Sequence, residues 1–215
     1  MNGRWRFNSG IKHAEWSIGG VCDFSVENYY LPKEMTFAWD LLKPQPLRGG
    51  RSYLFPPFSY VAKEHGPVAI GAARRSLDEL ITLATTTRGT FRASKLDERQ
   101  VVHRFIGQTD LKIRAVRAPL HERYAELFED IGAGKIPDIA AIADVRAAAV
   151  YATDIAIETA TQVFHFAGNT GLHHPHVIGR LLRDLNTAGL HQVMSDTAYE
   201  NNGKVRLGLP VDPMS

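Results

Sequence analysis

The sequence holds a single cysteine, Cys22, among its 215 residues, so no disulfide can form within the chain. A fold held by packing alone, in a reducing compartment, is what that absence predicts. No apolar run approaches the ~20 residues that a bilayer-spanning helix needs. Met1 leads into Asn-Gly-Arg-Trp-Arg, not into the apolar core of a secretory leader. Together these absences predict a cytoplasmic protein with no membrane partner. An excess of one charge is missing too: 25 Lys and Arg against 23 Asp and Glu leave a formal net charge of +2. The basic residues lie scattered beside acids, as in Asp97-Glu98-Arg99 and His121-Glu122-Arg123. A nucleic-acid face needs them clustered, so that partner is excluded. There is no internal repeat and no low-complexity tract. What the chain does have is 44% hydrophobic residues, enough for one sizeable core.

Two textures divide it. Residues 1–57 are rich in aromatics, Pro and Gly. In Gly-Arg-Trp-Arg-Phe-Asn-Ser-Gly, Trp5 and Phe7 alternate with polar residues, which predicts a short strand ending at Ser9-Gly10. The stretch from Trp16 to Pro32 predicts one or two more strands. Residues 43–50, Lys-Pro-Gln-Pro-Leu-Arg-Gly-Gly, read as a loop.

Residues 58–215 are Ala-rich and follow the helical period. A first helix is expected from about Phe58 to Thr87, with Pro67 marking a kink or a start. A second, from about Asp97 to Ile131, places Val102, Phe105, Thr109, Ile113, Val116, Leu120, Tyr124, Leu127 and Ile131 on one stripe. Ser94 with Asp97, or Asp97 with Gln100, is expected to cap it. Gly132-Ala133-Gly134 ends it. A third runs from about Asp138 to Phe166, with Pro137 and Asp138 at its positive end. At ~1.5 Å per residue it is ~45 Å long. A fourth covers about His176 to Met194, and a short fifth about Thr197 to Asn202. The expected fold is mainly α: an up-and-down bundle of four long helices plus a short C-terminal helix, preceded by a small strand-and-loop segment.

Residues 180–192, Arg-Leu-Leu-Arg-Asp-Leu-Asn-Thr-Ala-Gly-Leu-His-Gln, read as a buried helix that nevertheless carries Arg180, Arg183, Asp184 and His191. Arg183 and Asp184 are adjacent, so they point about 100° apart and each needs its own partner. Other helices or a second subunit could supply those partners. Arg183 offers a planar fork for phosphate or carboxylate, and His191 can exchange a proton near neutrality. His173, His174 and His176 suggest a metal cluster, but Pro175 interrupts them and no acidic or Cys ligand is near. A helix-entry loop is the better reading, and no metal is expected. Residues 167–171, Ala-Gly-Asn-Thr-Gly, lack the Lys-Ser/Thr of a Walker loop and the strand of a dinucleotide fingerprint. Ser9, at the end of an aromatic strand, could hydrogen-bond a flat ring, or could simply close an edge-strand turn.

Three stretches together resemble the acyl-CoA dehydrogenase superfamily. They are residues 3–16, similar to the middle-domain strand that passes the flavin, residues 66–84, similar to the first bundle helix, and residues 164–208, similar to the last helices with their Arg-Asp pair and a His seven residues on. Within that superfamily the chain is most similar to the flavin-dependent monooxygenase branch. The resemblance implies FAD or FMN as cofactor, with reduced flavin supplied by a separate reductase, an aromatic small-molecule substrate, and a homo-oligomer, dimer or tetramer, built through the bundle. Residue by residue, it implies that His191 and Ser9 serve catalysis. It implies that Trp5, Ser9, Gly168, Asn169 and Arg183 contact the cofactor, with Asp184 as the partner of the Arg-Asp signature. The family's dehydrogenases use a carboxylate base that finds no clear match here. The resemblance further implies a shortened middle β segment over residues 1–57, a bundle domain over 58–215, and no N-terminal helical domain in this sequence. Two other readings go with it: dehydrogenase chemistry, and a non-catalytic assembly module whose Ala-rich third helix packs between subunits.

Overall fold

The structure is a computed structural model, and it describes residues 3–5, 24–26, 30, 32–35, 44, 48–86 and 95–211. The chain divides into two compact units, Met1–Trp39 and Asp40–Ser215. In the first, β1 (Gly3–Trp5) pairs antiparallel with β2 (Phe24–Val26), in the register Gly3 to Val26, Arg4 to Ser25 and Trp5 to Phe24. The strand expected at the N-terminus is therefore present over its first residues. Its continuation to Ser9 lies outside the described residues.

The second unit is helical. It comprises α1 (Pro57–Thr86), α2 (Gln100–Gly132), α3 (Ile139–Ala167), the single turn α4 (Asn169–Leu172), α5 (Val177–Gly189) and α6 (Thr197–Arg206). The mainly helical bundle expected from the sequence is what forms. Its fourth helix is shorter than the periodicity implies, because the chain leaves the helix at Gly189 and continues as a short 3-10 turn, Gln192–Met194. Pro67 and Pro119 both sit inside helices, α1 and α2, without ending them.

The helix ends follow local chemistry. The Asp138 carboxylate accepts the Ala141 N–H at 2.7 Å and caps α3. Gly134, with φ of +79°, turns the chain after α2. The capping pattern expected from Asp97 does not form at α2, whose N-cap is Arg99 with no side-chain cap. Instead a 3-10 turn, Leu96–Glu98, precedes it, and Glu98 accepts the Lys95 backbone N–H at 3.2 Å.

α3 is the central element and packs against α1, α2, α5 and α6. Its alanines 149, 152, 156 and 160 step by three and four and are each no more than 1% exposed. They share one core with Ala62, Ala69, Ala73 and Leu77 of α1. An alanine face permits close backbone approach, and here it is spent inside the chain. At Gly66 of α1 an added Cβ would lie 2.9 Å from Leu120 and 3.4 Å from Ala149, which shows how tightly α1, α2 and α3 converge. No helix among the described residues is long and apolar enough to cross a membrane.

Candidate functional site

The candidate site is built where α3 hands over to α5. α3 ends at Gly168, whose backbone (φ +56°, ψ −135°) is in a region open chiefly to glycine. The exposed Asn169 then opens α4. α5 begins beneath it. His176 caps α5, its Nδ1 accepting the Ile178 N–H at 3.2 Å. Gly179 faces α4 so closely that a Cβ there would lie 2.5 Å from the Gly171 carbonyl oxygen and 3.5 Å from the Arg183 guanidinium. Arg183 therefore reaches back along α5 toward the α4 junction. This contact sets Arg183 and Asn169 on neighbouring elements.

α5 is amphipathic, not buried. Ile178, Gly179 and Leu185 are buried, while Arg180, Arg183, Asp184 and Thr187 are exposed. The expectation of a buried charged pair is thus corrected. The apolar positions are too few to cover the helix, and its charged side faces outward, so neither charge is desolvated. Among the described residues Arg180, Arg183 and Asp184 form no ion pair.

His191 lies beyond the helix, on the turn that Gly189 opens. At Gly189 a Cβ would come within 2.7 Å of the Ile157 side chain. Val193 and Met194 are buried and anchor the turn, while His191 remains exposed. Its Nδ1 accepts the Val193 N–H at 3.2 Å. With Nδ1 accepting, the neutral ring carries its proton on Nε2, and that N–H is the group left to meet a ligand.

Across from it stands a residue the sequence reading missed. His65 of α1 brings its ring centroid to 4.6 Å from that of His191, with 45° between the planes. Burial lowers the His65 pKa below its usual 6.5, and the neighbouring His191 lowers it further. The only local signal was a histidine on the flank of the α1 core stripe, next to Gly66. Its partner lies far along the chain, so spacing could not reveal it.

A consequence follows for stability. A histidine with a lowered folded pKa takes up its proton more readily in the unfolded chain. Its neutral form therefore contributes stability above pH 6.5, and that contribution is lost as pH falls through the folded value. Urea midpoints measured between about pH 5 and 7 should fall toward acid, and His65→Gln should flatten that slope. An unchanged slope in the variant would contradict the packing described here.

Trp5 ends β1, and Ser9 lies outside the described residues. Gly168 and Asn169 form the α3–α4 junction. His173 and His174 are exposed on the turn before α5. Among the described residues no group of three or more His, Cys, Asp or Glu side chains could hold a metal.

Residues 64–196 match the family model described as acyl-CoA dehydrogenase, C-terminal domain. An indole-3-acetate monooxygenase of Pseudomonas putida is 25% identical over an alignment covering 97% of this chain and 62% of that protein. A protein of the same name from Acinetobacter baumannii is 24% identical, covering 90% of this chain and 49% of its own length. The chain thus spans about half to three fifths of these relatives. Among solved structures, XiaF from a Streptomyces species, in complex with FADH2 and glycerol, superposes with a TM-score of 0.71 at 16% identity, covering 91% of this chain and 49% of XiaF. That likeness establishes the fold.

Proposed function

The chain belongs to the acyl-CoA dehydrogenase family through its C-terminal domain, and from that premise we propose that it forms the helical wall of a flavin-dependent monooxygenase. In this reading it uses FAD or FMN, reduced by a separate reductase, and dioxygen to hydroxylate an aromatic small molecule, as a homo-oligomer in the cytoplasm. The observation that carries the reading is the pair of facing imidazoles, His191 and His65; at the other end of α5 the exposed Arg183 has no ion-pair partner among the described residues. The names of the two monooxygenase relatives and the FADH2 held by XiaF support it.

The residues present fit a flavin. Arg183 offers a guanidinium suited to phosphate oxygens, held near the α4 junction by the Gly171–Gly179 contact. Asn169 offers an exposed amide at the same junction. His191 offers an Nε2–H on a turn whose backbone is anchored by buried residues. When bound, a reduced flavin supplies the electrons that activate dioxygen. His191 donates to, or exchanges a proton with, an oxygen of the substrate. His65, with its lowered pKa, packs against that ring as a neutral partner and fixes its plane. For Trp5 and Ser9, as ring wall and hydrogen-bond donor, the proposal rests on sequence likeness alone. The family's dehydrogenases use a carboxylate base that finds no clear match in this sequence, and the exposed side chain on the 190–195 turn best placed for proton exchange is His191, which favours oxygenase chemistry.

Titration of the purified chain with FAD and FMN, oxidised and reduced, tests this. Saturable binding is expected, weakened roughly 10- to 100-fold by Arg183→Ala, the loss of one charge-assisted contact. A folded chain showing no saturation at high micromolar flavin would overturn the reading.

A further inference from the structure

On the other side of α1 a half-open cavity of about 480 Å³ lies between α1, α2 and the segment Ser52–Phe55. Around the axis of α1 its residues Lys63, Pro67 and Ile70 stand roughly 140–200° from His65, at ~100° per residue. The cavity and the histidine pair therefore occupy opposite flanks of one helix. We propose that this cavity binds a small amphipathic anion, an aryl or alkyl carboxylate, at a site separate from the one described above and independent of the flavin reading.

The floor is aromatic and dry. Phe55, Leu120 and Tyr124 are each no more than 8% exposed, and the Phe55 ring lies 6.3 Å from both Tyr124 and Phe128. The phenol in that floor is already engaged: Tyr124 donates to the Ser59 carbonyl at 3.1 Å, while the half-buried Ser52 hydroxyl lies on the lining from the preceding segment. Burial raises the Tyr124 pKa, so the phenol stays neutral there. An apolar body thus meets a floor whose phenol is already satisfied, with the Ser52 hydroxyl left to the rim. A volume of this size falls within the ~300–1,000 Å³ range of small-molecule sites and suits one or two rings.

The rim is cationic. Arg117 and His121 stand one turn apart on α2, both exposed, with no ion pair or hydrogen bond among the described residues. Lys63 faces them from α1, its ammonium 4.7 Å from the Tyr60 ring centroid and 5.9 Å from that of Phe55. Lys63 also pairs with the exposed Glu64. No carboxylate lines the cavity itself. Glu122, beside His121, is engaged by Arg123 at 3.6 Å. The Arg117 guanidinium, unpaired at the edge of an apolar floor, with the Lys63 ammonium across from it and the His121 ring beside it as a hydrogen-bonding group, attracts an anion whose remaining atoms are apolar.

The test uses anilinonaphthalene sulfonate, an aromatic monoanion that fluoresces in apolar surroundings, and phenylnaphthylamine, its neutral counterpart. One saturable site is expected for the anion, displaced by naphthoate, with at least tenfold weaker binding of the neutral probe. Ala125→Trp, at an exposed position lining the cavity, should abolish binding. Arg117→Glu, at an exposed position that leaves the floor intact, should weaken the anion at least tenfold. Equal affinity for the neutral probe, or no effect of either variant, would overturn the proposal. So would anion binding that falls as protein concentration rises while sedimentation shows self-association, since a second copy would then cover the cavity.

Discussion

His191→Ala is expected to lower the rate of substrate hydroxylation, under a supply of reduced flavin, by about 10²- to 10⁴-fold, the range that one positioned acid–base group contributes. Flavin affinity should fall less than it does with Arg183→Ala, because the contact to the cofactor's phosphates is assigned to Arg183 and His191 meets the ring end alone. The expectation follows from tautomer and placement. The Val193 N–H occupies Nδ1, leaving Nε2–H as the exchangeable group, and the buried Val193 and Met194 hold the turn in place. His191→Gln retains a donor but cannot relay a proton, so it should restore binding of a substrate analogue without restoring rate. Equal turnover by the native chain and the alanine variant would remove His191 from the chemistry. His65→Phe should keep the ring packing and lose only the titrating partner, with a smaller effect on rate and a displaced pH profile.

Gly179→Ala is expected to destabilise the chain by about 1–3 kcal/mol, the usual cost of overpacking. The added Cβ would meet a backbone carbonyl, that of Gly171, at 2.5 Å, and backbone cannot swing aside as a flexible side chain can. α4 and α5 must separate, which also shifts Asn169 relative to Arg183. Weaker flavin binding should therefore accompany the lower midpoint. Gly71→Ala is the matched control. It lies on an exposed face of α1 with no atom within 4 Å of its added Cβ, and should stabilise by about 0.5–1 kcal/mol through helix propensity. For a chain of this size 1 kcal/mol corresponds to roughly 2–4 °C in Tm. Equal effects of the two substitutions would contradict the α4–α5 contact.

The long helices were legible because a single local rule dominates them. In α2 the residues Val102, Thr109, Ile113, Val116, Leu120, Tyr124, Leu127 and Ile131 are buried as their spacing requires. The Asp138 cap was legible for the same reason, being a contact between residues three apart. The end of α5 was not. An apolar rhythm continues into Leu190, yet that side chain is 86% exposed, because Gly189 packs on Ile157 and the turn is held by Val193 and Met194 instead. The burial expected for Arg183 and Asp184 failed likewise, since charge placement depends on what surrounds a helix rather than on its own period. The destination of the α3 alanines could not be read from composition, which gives small residues but not which neighbour uses them. In the candidate site, His191 and Arg183 were visible through the motif that carries them. His65 was not, because only the crossing of α1 over the turn brings it there.

The central claim is that a flavin meets this chain at the paired imidazoles. Nitrogen-15 spectra of labelled histidine side chains, recorded with and without reduced flavin, test it most directly. The account predicts that the His191 and His65 ring resonances move together on saturation, while those of His103 and His121 on α2 stay in place. Saturable flavin binding that leaves His191 and His65 unmoved, or that shifts His121 in their stead, would contradict it.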